Sequence, residues 1–135
     1  MQTRNLNILS TSTLTGDHVR NTEGKDLGKI EDFMVDVNSG RIAYAVLSFG
    51  GFMGFGDKLF AIPMDALSLD TDAEKFVLDV NKQQLEDAPG FDKDNWPKHP
   101  DSKFIDSVYT HYGYSPYSTR QTSHSAQREL SGSLN

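Results

Sequence analysis

The segment Arg41–Phe49, RIAYAVLSF, is apolar on both parities. Successive side chains of a strand point to opposite faces, so Ile42, Tyr44 and Val46 form one face and Ala43, Ala45, Leu47 and Phe49 the other. A strand with one wet face alternates apolar and polar residues; this one is expected to be covered on both sides. One cover is the core of its own sheet. The second is expected to be the C-terminal segment or another subunit.

Short strands surround it. His18–Asn21 reads as a brief strand before the turn Thr22-Glu23-Gly24. Gly28–Val37 places Ile30 on one parity and Phe33, Val35 and Val37 on the other, which implies a bulge near Glu31-Asp32 that returns Ile30 and Phe33 to one face. Asn38-Ser39-Gly40 reads as a tight hairpin loop, with Gly40 free to take positive φ. Lys58–Ile62 is stopped by Pro63, Met64-Asp65-Ala66 is a turn, and Leu67–Asp70 and Lys75–Val80 are two further strands around the turn at Thr71–Glu74. No long helical pattern interleaves them, so the expected class is all-β, a small barrel or sandwich of about six short strands.

Charge narrows the partners. The net charge is -6, and Leu14–Val80 alone holds six basic against twelve acidic side chains, six minus twelve giving the whole imbalance. Such a surface lacks the basic footprint that neutralises phosphates, which argues against nucleic acid and anionic lipid as partners. The chain has no cysteine, which excludes disulfides, thiolate metal sites and thiol catalysis. There is no apolar run long enough for a membrane span and no secretory h-region, so a cytoplasmic protein without integral membrane contact is expected.

The motifs carry little chemistry. Gly50-Gly51-Phe52-Met53-Gly54-Phe55-Gly56 runs G-x-x-G-x-G, and Lys58 follows Asp57 and opens a strand, so neither a dinucleotide fingerprint nor a phosphate-binding loop is formed. The glycines fit a long flexible hairpin. Its apolar tip, Phe52, Met53 and Phe55, together with Leu47 and Phe49, is the candidate interaction surface. His18, His99, His111 and His124 show no metal-ligand spacing, and Asp32, Asp36, Asp57, Asp65 and Asp70 sit at strand ends and turns, where acidic residues serve local hydrogen bonds. No serine lies in a nucleophile motif. No enzymatic activity, metal or cofactor is expected.

Beyond Val80 the character changes. Asn81 is placed to cap a brief helix through Glu86, Phe91–Pro100 reads as a loop containing Trp96, and Asp101–Tyr112 fits a three-turn helix capped by Asp101, with Phe104, Val108 and Tyr112 in one stripe and Ile105 and Tyr109 beside it. The aromatic residues Trp96, Phe104, Tyr109, Tyr112, Tyr114 and Tyr117 are expected to pack against the barrel rather than stack on a ligand. Residues 118–135 form a polar, flexible tail. The expected organisation is an N-terminal polar segment 1–13, a barrel 14–85, a loop and short helix 86–117 packing on the barrel, and the tail 118–135. Hydrophobic residues are 36% of the chain. A barrel of about 70 residues is marginal alone, so the C-terminal aromatics or a second subunit are expected to complete its core.

Four stretches in order, LTGDHV (14–19), GKIEDFMVD (28–36), GRIAYAVLSFGGF (40–52) and AIPMDAL (61–67), resemble the PRC-barrel domain. The likeness spans roughly Leu14–Leu85. The family's small β-barrel also forms the cytoplasmic domain of the photosynthetic reaction-centre H subunit and the C-terminal domain of RimM. The H subunit's membrane helix and RimM's preceding barrel have no counterpart before Leu14, and the nearer likeness is to stand-alone bacterial PRC-barrel proteins, often stress-associated. The resemblance implies a non-catalytic interaction or scaffold module with no catalytic apparatus to transfer. The expectation is a self-associating barrel, a homodimer or one bound to another protein. The alternative is a small-ligand-binding barrel that uses the Gly50–Gly56 loop and the C-terminal aromatics as a lid.

Overall fold

The strand that is apolar on both parities lies near the middle of a seven-stranded sheet. The computed structural model describes residues 8–49, 58–70, 75–92 and 102–119. The strands are β1 (His18–Arg20), β2 (Asp26–Asp36), β3 (Arg41–Phe49), β4 (Lys58–Ile62), β5 (Leu67–Asp70), β6 (Lys75–Leu78) and β7 (Gly90–Asp92). Their spatial order is β5-β6-β1-β2-β3-β4-β7. All pairings are antiparallel except β1 with β6. About six strands were expected; the seventh, β7, falls in the stretch read as loop, because Gly-Phe-Asp has no strand pattern and owes its conformation to pairing with β4.

A short connection forces the sheet to curl. β4 and β5 stand five strand spacings apart in the order, about 24 Å if the sheet were flat. Only Pro63–Ala66 joins them, and Met64–Ala66 is a 3-10 turn. Five Cα–Cα steps reach about 17 Å even when fully extended. The two ends must therefore approach, wrapping the sheet around one core. Val19, Leu27, Ile30, Phe33, Leu47, Phe49, Phe60, Ile62, Phe76 and Leu78 fill it, and Leu85 closes it from α2 (Lys82–Glu86). Among the described residues no hydrogen-bonded ladder joins β5 to β7. The architecture is a strongly curled, barrel-like sheet without a closed seam.

Two bulges in the β2–β3 ladder set which of its side chains face inward. Ile30 pairs with Leu47 and Asp32 with Val46, leaving Glu31 as the extra residue on β2. This is the irregularity expected near Glu31-Asp32, and it keeps Ile30 and Phe33 in the same core. Met34 pairs with Tyr44 and Val35 with Ile42, leaving Ala43 as the extra residue on β3. Val35 and Val37, expected on the face of Phe33, are instead exposed at 52% and 87%, because the hairpin runs past the end of the core. Gly40 closes that hairpin with φ +76.

Helices complete the described fold. Ser10 caps α1 (Thr11–Leu14), in a segment where no helix was expected. Asn81 caps α2 as expected, in a capping box with Gln84. The long helix, α3, spans Ser102–His111 and buries Ile105, Val108 and Tyr109. Its expected cap, Asp101, lies outside the described residues, as do Trp96 and residues 120–135. No helix among the described residues is long and apolar enough to cross a membrane.

Candidate functional site

The second cover of β3 is α3. Ala43, Tyr44 and Val46 of β3, with Leu59 and Ala61 of β4, form the outer face of the sheet, and Ile105, Val108, Tyr109 and Tyr117 pack on it as a cluster separate from the barrel core. The bulge at Ala43 turns two consecutive residues, Ala43 and Tyr44, towards this face. Ala43 and Ala61 have the smallest side chains of this face. They leave a groove floor that a helix backbone can approach.

Polar contacts fasten the C-terminal arm, residues 102–119, to the barrel. The buried Tyr109 hydroxyl donates to the Ala43 carbonyl at 2.6 Å. His111 Nε2 lies 2.9 Å from the Gln84 carbonyl and donates to it. The Tyr114 hydroxyl donates to the Asp65 carbonyl at 3.1 Å, and the Tyr117 hydroxyl to Asp36 Oδ2 at 2.7 Å. Within the arm, Asp106 accepts from both the backbone N–H and the hydroxyl of Ser118, holding the last turn against α3.

The Asp36–Tyr117 contact makes the arm's docking sensitive to pH. Partial burial pushes the Asp36 carboxyl up, but hydrogen bonds from Tyr117, Asn38 and Ser39 outweigh it and hold the group below its usual value. Burial, and then the neighbouring Asp36, push Tyr117 upward. A depressed carboxylate stabilises the fold above its unfolded pKa, near 3.8, and that contribution is lost as pH falls through the folded value. A raised phenol contributes below its unfolded value, near 10, and loses this as pH rises through the folded one. Tyr117→Phe is therefore expected to cost about 1 kcal/mol at neutral pH. The gap between the melting curves of the two proteins should narrow as pH falls below 3.8 and as it rises above 10. A gap that is constant from acid to alkali would show that the pair contributes nothing.

Beside the arm's turn lies a cavity of about 410 Å³, lined among others by Leu78, Val80, Gln84, His111, Tyr112 and Tyr114. Gly113, with φ +84, ends α3 there, and the Tyr114 N–H returns to the Tyr109 carbonyl at 2.9 Å. This reversal places Tyr112 and Tyr114 around the hollow. Tyr112 packs against both clusters. Among the described residues its buried hydroxyl has no hydrogen-bond partner, and burial pushes its pKa well up.

The candidate interaction residues are divided. Leu47 and Phe49 are 0% and 5% exposed, inside the barrel core and paired opposite Phe60 and Lys58, so they offer no surface. The inward parity of β3 corrects that part of the expectation. Phe52, Met53 and Phe55 lie outside the described residues. Asp32, Asp65 and Asp70 are exposed on separate elements, and no group of three His, Asp or Glu capable of holding a metal occurs among the described residues. The sequence pattern gives no sign of the Asp36–Tyr117 contact, whose partners lie 81 residues apart. By contrast, the apolar stripe of α3 is legible.

Strands β1 to β6 fall within a known unit: the family model of the PRC-barrel domain matches residues 7–85, more than half of the 135 residues. The chain belongs to the PRC-barrel domain family. The arm that covers the groove lies beyond the PRC-barrel match. Among solved structures, the chain is similar to a protein assigned as the 16S ribosomal RNA processing protein RimM of Pseudomonas aeruginosa, at 18% identity and a TM-score of 0.38. That likeness covers 56% of this chain and 45% of the other, so it spans less than half of the RimM chain. No curated protein matches this sequence.

Proposed function

We propose that this chain is a non-catalytic, cytoplasmic protein-interaction module that associates with itself. The observation that carries this reading is the PRC-barrel match over residues 7–85, a family whose resemblance implies an interaction module. The acidic surface of the barrel favours a protein partner over nucleic acid or anionic lipid. Sedimentation velocity over a wide concentration range tests the reading. A reversible shift towards dimer is expected, and a strict monomer throughout would sink it.

A second reading is supported by the cavity under the arm's turn. A volume of about 410 Å³ suits a small organic ligand, and an acceptor group on it would satisfy the Tyr112 hydroxyl. This reading retains the C-terminal aromatics as the lid. It predicts that a bound ligand raises the melting temperature and that Tyr112→Phe weakens the effect.

A further inference from the structure

The cavity under the arm's turn is built by the barrel and the arm together. The barrel supplies Leu78, Asp79 and Val80, at and just past the end of β6, and the arm supplies His111, Tyr112 and Tyr114. Its walls are fixed from outside. The Tyr114 hydroxyl is tied to the Asp65 carbonyl and the His111 ring to the Gln84 carbonyl. The His111 and Tyr112 rings pack edge to face, with centroids 4.9 Å apart. A hollow held in this way is formed before a ligand enters, which lowers the cost of binding.

The electrostatics of the hollow select a sign. Asp79 is its acidic side chain, and no lysine or arginine is among the residues that line it. Among the described residues the exposed Asp79 carboxylate has no hydrogen bond or ion pair. The helix α3 ends at His111, so the negative end of its dipole lies at the same place. Tyr112 and Tyr114 add aromatic rings, whose faces attract cations. The acidic excess of Leu14–Val80 has the same sign. We infer that the cavity takes a small organic cation, a protonated amine carried on an aromatic or apolar body. This rests on the ligand-binding reading of the cavity and names the class of its ligand. The ammonium group pairs with Asp79 in the field of the α3 terminus, and the body lies against the tyrosine rings, Leu78 and Val80. An anion finds no partner there, and a neutral molecule leaves the carboxylate unused.

Three compounds of nearly one shape test the inference on the full chain: phenethylamine, phenethyl alcohol and phenylacetate, which at neutral pH are a cation, a neutral molecule and an anion. Calorimetric titration is expected to give the amine at least about tenfold the affinity of the alcohol, with phenylacetate the weakest. Backbone amide resonances locate the site, and the amine should shift those of residues 78–80 and 111–114. Asp79→Asn keeps the shape of the side chain and removes its charge. It should weaken the amine at least about threefold and leave the alcohol unchanged. The unliganded melting curve of the variant checks that it folds, and the comparison of the three compounds on the native chain needs no variant. Alcohol or phenylacetate binding as tightly as the amine at these amides overturns the cation assignment and leaves the ligand-binding reading standing. So does an amine affinity that is the same in Asp79→Asn. No shift at residues 78–80 and 111–114 from any of the three compounds overturns both.

Discussion

Gly28→Ala is expected to cost at least about 3 kcal/mol and to leave much of the chain unfolded. Gly28 sits in β2 with φ +118, a backbone conformation that side-chain-bearing residues rarely adopt. A Cβ at this position would fall on the carbonyl oxygen of Ser48 in the neighbouring strand. The obstacle is backbone, so no rotamer change relieves it. Relief requires separating β2 from β3, the pairing that carries the middle of the sheet through Lys29 opposite Ser48 and Ile30 opposite Leu47. Gly40→Ala provides the control. Its φ is +76, but nothing lies within 4 Å of the added carbon, so the penalty is conformational only, about 1–2 kcal/mol. Urea titrations followed by far-ultraviolet circular dichroism separate the two. A Gly28→Ala midpoint equal to that of Gly40→Ala would remove the steric argument.

Phe60→Ala is expected to destabilise the fold by about 3–5 kcal/mol. Phe60 is the largest of the fully buried side chains, 2% exposed, and it stands on β4 opposite Leu47, where the inner faces of the curled sheet converge. Removing the ring leaves a cavity that neither strand can close, because β4 is held between β3 on one side and β7 on the other. The melting temperature should fall by roughly 10–20 °C. A loss below about 1 kcal/mol would mean that the core collapses around the gap.

The strands with regular alternation or turn punctuation were legible in the sequence. Arg41–Phe49, Lys58–Ile62 and Leu67–Asp70 have the bounds their patterns imply, and the parity switch at Ile30/Phe33 reported a bulge because a one-residue insertion leaves a visible break in period two. The demand of β3 for two covers was likewise legible, and α3 is one of the two covers anticipated. The bulge at Ala43 was hidden, since alanine is compatible with either face and disturbs no apolar pattern. β7 was hidden for a different reason: Gly90, Phe91 and Asp92 have weak strand preference, and the edge of β4 supplies their hydrogen bonds. Leu47 and Phe49 read as candidate surface because periodicity assigns residues to faces without saying which face is inward. The contacts that fasten the arm join residues tens of positions apart, such as Tyr114 and Asp65, and no local spacing encodes them.

The parallel pairing of β1 with β6 also constrains the time course of folding. His18 stands opposite Lys75, a separation of 75 - 18 = 57 residues, whereas β2–β3–β4 and β5–β6 are joined by short connections. Those local hairpins form first, and docking them through three residue pairs must repay the entropy of closing the long intervening loop. During synthesis β1 leaves the ribosome well before its β6 partner exists, so one of its edges stays unpaired in the interval. An open strand edge is a template for pairing with other chains. With only three residues, and Val19 flanked by His18 and Arg20, β1 is too short and too polar to serve as one while it waits.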